Sequence, residues 1–147
     1  MKIQTMKSLY VLAKKTGITT VEGFSTVLVS LVILTPYCGF LFDCGCTWPW
    51  SGLESHCNIH DPLAAHQCPW CASLLSGVVS SAAAVLAALF VSTHVVNSFD
   101  SLNRPLFSVQ LPVSLAAGLS AFLVVATLTG WIAGSLQDYP VFIFQAG

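Results

Sequence analysis

The sequence predicts an all-α integral membrane protein: three transmembrane helices with an extracytoplasmic Cys/His-rich loop between the first and second. Three observations carry that prediction. Of 147 residues only 7% are charged while 55% are hydrophobic, where an ordinary soluble domain carries about 25% charged residues. Three uncharged apolar runs are each about as long as the roughly 20 helical residues that a bilayer requires. The basic residues, finally, all fall on one side of the resulting topology. A net charge of −1 gives phosphates no electrostatic footprint, so a nucleic-acid partner is excluded.

The apolar runs are FSTVLVSLVILTPYCGFLF (Phe24 to Phe42), SLLSGVVSSAAAVLAALFVSTHVV (Ser73 to Val96) and VSLAAGLSAFLVVATLTGWIAG (Val113 to Gly134). Helices are expected because unpaired strands in lipid leave backbone groups without partners, and nothing here alternates like a barrel. The expected organisation is a basic amino-terminal segment over 1–21, spans over 22–42, 73–96 and 113–134, the Cys/His-rich loop over 43–72, a cytoplasmic loop over 97–112 and an extracytoplasmic tail over 135–147. Pro36 is expected to kink the first span rather than end it.

Lys2, Lys7, Lys14 and Lys15 precede the first span, and Arg104 lies between the second and third. The 43–72 loop holds Asp43, Glu54 and Asp61 but no Lys or Arg. The positive-inside rule therefore puts the amino terminus in the cytoplasm. Trp48, Trp50, Trp70 and Trp131 gather on the opposite side, where an aromatic belt would lie. The first run is long for a signal-peptide core and no small-x-small cleavage site follows it, so an uncleaved anchor is expected. Residues 1–20 read either as an amphipathic helix stopped by Gly17, with Leu9, Leu12 and Ala13 on one face and Lys7, Lys14 and Lys15 near headgroups, or as a solvated basic arm. The membrane is expected to be a bacterial inner membrane or one of the secretory pathway.

The chemistry concentrates in DCGCTWPWSGLESHCNIHDPLAAHQCPWC, Asp43 to Cys71. Five of the six Cys and three of the four His stand in these 29 residues, in a loop longer than a simple connection needs. Metal coordination is the leading explanation. Cys44-x-Cys46 and Cys68-x-x-Cys71 supply close thiolate pairs, while Cys57-x-x-His60 and His66-x-Cys68 add imidazoles, and such spacings let one backbone turn present two donors to a single zinc or soft copper ion. The candidate ligands are Cys44, Cys46, Cys57, His60, His66, Cys68 and Cys71. His56 adjoins Cys57 too closely for both to reach one ion, and Asp61 before Pro62 reads as a turn. The donors exceed the four that one tetrahedral ion takes, so either some are idle or two ions bind.

Two alternatives compete. A disulfide-stapled loop suits an oxidising compartment, but the loop holds an odd number of Cys, so full pairing would recruit Cys38 from the first span, and three His stay unexplained. Thiol–disulfide exchange would use CPWC at the start of the second span, Cys68 attacking and Cys71 buried as the resolving thiol, with a helix amino terminus favouring the thiolate. A CxxC at the outer mouth of a transmembrane helix resembles the quinone-linked disulfide-forming membrane proteins and the vitamin K epoxide reductases. The resemblance covers that motif and its helix alone, and those families are four-helix bundles.

His94 reads as a polar residue near the cytoplasmic interface. The spans contain small residues four apart, Gly77 with Ser81, Ala117 with Ala121 and Gly130 with Gly134, which let helices approach within the chain and against partner membrane subunits. No charged residue stands inside the apolar runs, which argues against a transporter or pump. Apart from the CPWC thiols of that alternative, no nucleophile, general base or cleft can be named. The sequence thus predicts an accessory subunit of a membrane complex or a metal-handling factor rather than an enzyme.

Overall fold

A computed structural model describes residues 2–46, 57–64, 66–101 and 107–139. The regular elements among those residues are helices, with no strand: α1 (Lys2–Phe42), a single 3-10 turn (Asn58–His60), α2 (Pro69–Ala72), α3 (Leu74–Ser101) and α4 (Phe107–Leu136). Three of the helices contain stretches long and apolar enough to cross a membrane, Val21–Phe42, Leu74–Ser98 and Ser108–Leu136.

The helices run further than hydropathy alone predicts. α1 continues through Gly17, because one glycine weakens a helix by about 1 kcal/mol relative to alanine without stopping it. It also continues through Pro36, which lacks a backbone N–H and leaves one carbonyl of the preceding turn without its helical partner. α3 extends to Ser101 and α4 begins at Phe107, so much of the expected 97–112 loop is helix. Hydropathy marks where the side chains are apolar, whereas backbone hydrogen bonding carries on into the polar flanks.

Small residues spaced by four build the interior. On α3 the buried row is Ser80, Ala84, Ala88, Ser92 and Val96. On α4 it is Gln110, Ser114, Gly118, Phe122 and Ala126, continuing to Gly130. On α1 it is Glu22, Thr26, Ser30 and, two turns on, Cys38. Rows at i and i+4 lie along one helix face, and small side chains there bring backbones together. A Cβ at Gly118 would stand 2.9 Å from the Ala88 carbonyl oxygen and 3.0 Å from Thr26 Cγ2, which puts Gly118 where all three helices meet. Hydroxyls in this interior bond back to their own helix, Thr26 to the Glu22 carbonyl (2.9 Å), Ser92 to Leu89 (3.1 Å) and Ser114 to Leu111 (3.0 Å). The large apolar side chains, among them Phe24, Leu86, Phe90, Val124 and Leu128, point outward, as a surface solvated by lipid requires. The intramolecular bundle thus uses much of the small-residue surface.

At the end of the bundle formed by the carboxyl ends of α1 and α4 and the start of α3, packing becomes aromatic. Phe42 meets Trp70 edge-on at 5.4 Å and Tyr139 edge-on at 5.6 Å. Leu41, Phe42 and Trp70 all pack over Gly130. Tyr37 crosses from α1 to α4, sharing a 2.5 Å hydrogen bond with the Thr127 hydroxyl.

Candidate metal centre

The six cysteines converge at this end of the bundle. Cys38 comes from the last turns of α1, Cys44 and Cys46 from the turn after it, Cys57 from the residue before the 3-10 turn, and Cys68 and Cys71 from the two ends of the CPWC segment. All six are free thiols, and all but Cys71 are buried. The sulfurs form three groups in which every Sγ lies within 4.8 Å of the others: Cys38/Cys44/Cys68, Cys38/Cys46/Cys71 and Cys44/Cys46/Cys57. Individual separations are 3.5 Å for Cys38–Cys68, 3.8 Å for Cys38–Cys44 and 3.7 Å for Cys57–Cys71.

Local backbone geometry makes this convergence possible. α1 ends where Asp43 (φ 49°) and Gly45 (φ 80°) enter the left-handed region, which glycine adopts at no steric cost. The chain doubles back, both sulfurs of the Cys-Gly-Cys turn point inward, and Cys46 lies on the surface of α1. Gly39 is what admits it: a Cβ there would fall well inside contact with the Cys46 carbonyl oxygen, with the carbonyl carbon at 3.1 Å.

Asn58 pins the rest of the loop. Its backbone N–H donates to the Cys44 carbonyl (2.9 Å), and its side-chain oxygen accepts from the Cys68 N–H (2.9 Å). Its amide nitrogen donates to the His66 carbonyl (3.1 Å) and to the Tyr139 hydroxyl (3.0 Å). Tyr139 in turn donates to the Phe42 carbonyl at 2.8 Å, closing a circuit from α1 through the loop to the residues after α4. Burial pushes the Tyr139 phenol up to about 12, so it stays a hydroxyl and keeps that donor. The Gln137 side chain adds a bond to the Pro69 carbonyl (3.3 Å).

The thiols polarise one another. Hydrogen bonds from Cys38 and then Cys46 lower Cys44, and those from Cys38 and Cys44 lower Cys68. Hydrogen bonds from Cys38, Cys46 and Cys68 lower Cys71. Burial pushes the Cys57 thiol up to about 12, consistent with its donating to Cys71. The thiolate is the form that binds metal: Cys44, Cys68 and Cys71 are pushed toward it, whereas Cys46, despite a lowering bond to Cys38, is pushed the other way by its bonds to Cys44 and Cys71 and by burial.

Five of the seven candidate ligands, Cys44, Cys46, Cys57, Cys68 and Cys71, are thus brought together. His60 and His66 are not in the sulfur groups. His60 is exposed at the rim of an outer cavity beside Cys44 and Cys57. His66 is exposed and packs edge-on against Tyr139 at 6.1 Å. Trp48, Trp50, His56 and the tail beyond Tyr139 lie outside the described residues. Cys38, considered from sequence only as a disulfide partner, belongs to two of the three groups. Asn58 and Tyr139 were not anticipated either.

The CPWC segment differs from the redox expectation in two respects. It occupies its own four-residue helix, and an extended Ser73 separates it from α3, so the dipole of the long helix is not aimed at Cys68. Accessibility is also reversed, with Cys68 at 0% and Cys71 exposed. A second feature adjoins the centre: an apolar groove of about 580 Å³ between α1 and α3, lined by Leu31, Leu34, Val78 and Val85 and reaching Cys38, Cys46 and Cys71. No protein-family model, curated protein or solved structure matches the chain.

Proposed function

We propose that this is a small integral membrane metal-binding protein whose cysteine centre holds zinc or copper. In this reading the protein serves as a metal-handling factor or as an accessory subunit of a membrane complex. The observation that carries the reading is the set of three sulfur groups, each within 4.8 Å, assembled from separate stretches of chain and mostly buried. Metal–thiolate bonds are about 2.3 Å long, so ligand sulfurs on one ion stand just under 4 Å apart, and the 3.5 and 3.8 Å separations within the Cys38/Cys44/Cys68 group are close to that spacing. Burying several mutually close thiols without a cation costs desolvation and repulsion once any ionises, and a bound cation removes that cost.

The basic residues support an orientation with the amino terminus in the cytoplasm and the centre on the extracytoplasmic face. His60 and His66 enter as outer donors during capture or transfer rather than as members of the sulfur groups. The test is elemental analysis of the purified full-length protein, with a count of free thiols under native and denaturing conditions. Stoichiometric zinc or copper, with thiols that become reactive after chelation, supports the reading. A metal-free protein whose six cysteines form disulfides overturns it.

A further inference from the structure

Each pair of sulfur groups shares one cysteine and no more: Cys38 joins the first and second, Cys44 the first and third, Cys46 the second and third. The remaining three, Cys57, Cys68 and Cys71, occur once each. Two stacked triangles reproduce this pattern, Cys38/Cys44/Cys46 and Cys57/Cys68/Cys71, with each outer sulfur over one edge of the inner triangle. That is the connectivity of an octahedron of six sulfurs, in which the three observed groups stand for three of four alternating faces. The fourth alternating face would be Cys57/Cys68/Cys71, the three cysteines used only once. One edge of it is already closed, Cys57 to Cys71 at 3.7 Å.

We infer that the centre is built for a tetranuclear copper(I) cluster, one three-coordinate ion on each alternating face, every cysteine bridging two ions. The inference rests on the metal-binding reading and specifies the ion and its number. Coordination number is what decides it. Structural zinc takes four protein ligands, yet each group offers three sulfurs, and among the described residues no fourth His, Asp, Glu or Cys atom is grouped within 4.8 Å of all three. Water is a poor substitute where five of six thiols are buried. Copper(I) accepts three soft thiolates and needs nothing more. Loading is balanced as four copper(I) ions entering and six thiol protons leaving, with no change of oxidation state. The two negative charges left over are spread over six polarisable sulfurs, and the Ile59 backbone N–H donates to Cys57.

The test is an anaerobic titration of the reduced, full-length protein in detergent with copper(I) against a chromogenic copper(I) chelator, followed by X-ray absorption. Four copper ions per chain are expected, with three sulfurs around each and a copper–copper scattering path. Each cysteine lies on two occupied faces, so Cys57→Ser is expected to retain no more than two ions. Saturation of the unaltered protein at three copper ions or fewer overturns the inference, as does a Cys57→Ser protein that still holds more than two. Tight binding of one or two four-coordinate zinc ions, read by cobalt(II) substitution spectra, overturns the copper cluster and leaves the metal-binding reading standing. A protein that binds neither ion overturns both.

Discussion

Replacing Gly39 by alanine tests whether the convergence of the sulfurs depends on close packing of backbone on backbone. The added methyl would collide with the Cys46 carbonyl group, where no flexible side chain can swing away. Relief requires the Cys-Gly-Cys turn to retreat from α1 by about 1 Å. Metal–ligand distances tolerate only about 0.2 Å, so Cys46 leaves both of its sulfur groups. Overpacking of this kind costs about 1–3 kcal/mol, and the loss of metal stabilisation adds to it. Gly23→Ala is the internal control, because its Cβ would meet only the end of the Leu89 side chain, at 3.1 Å. The assay pairs metal content after purification with unfolding in mixed micelles. Gly39→Ala is expected to lose at least half of its bound metal and about 2 kcal/mol of stability, while Gly23→Ala changes neither by much. Full metal content and unchanged stability in Gly39→Ala would refute the argument that this glycine positions the centre.

Asn58→Ala removes three side-chain hydrogen bonds and is expected to cost about 2–3 kcal/mol, because the Cys68 N–H and Tyr139 hydroxyl lose partners in a partly buried site; denaturation and metal content report it together. His60→Ala and His66→Ala, singly and combined, are expected to leave equilibrium metal stoichiometry unchanged and to slow exchange with a chelator, read by stopped-flow; loss of an ion at equilibrium would place an imidazole in the centre. Cys71 is the exposed thiol, so a maleimide applied to reduced, metal-free protein is expected to label it first, by peptide mass spectrometry, with the buried thiols following at least tenfold more slowly.

Much of the architecture is legible in the sequence because lipid imposes simple demands. Long uncharged runs have no alternative to helix, and the three candidate spans fall where hydropathy puts them. The clustering of Cys44, Cys46, Cys57, Cys68 and Cys71 was visible as local density in sequence. Cys38 was not, because a cysteine inside an apolar run looks like any small core residue. What signals it is position: it stands on the same helix face as Glu22, Thr26 and Ser30, extended to the helix end where the other thiols begin. Asn58 and Tyr139 were illegible for a different reason. Their roles arise from hydrogen bonds spanning up to 97 residues, and no local pattern records such a bond. The separation of CPWC from α3 turns on the backbone angles of Ser73, which hydropathy does not see.

Cys38 belongs at once to a helix long and apolar enough to cross a membrane and to the sulfur assembly at its end. Whatever occupies that assembly is thereby anchored rigidly to α1, and through the small-residue rows to α3 and α4. Filling or emptying the centre would therefore be felt along α1 itself.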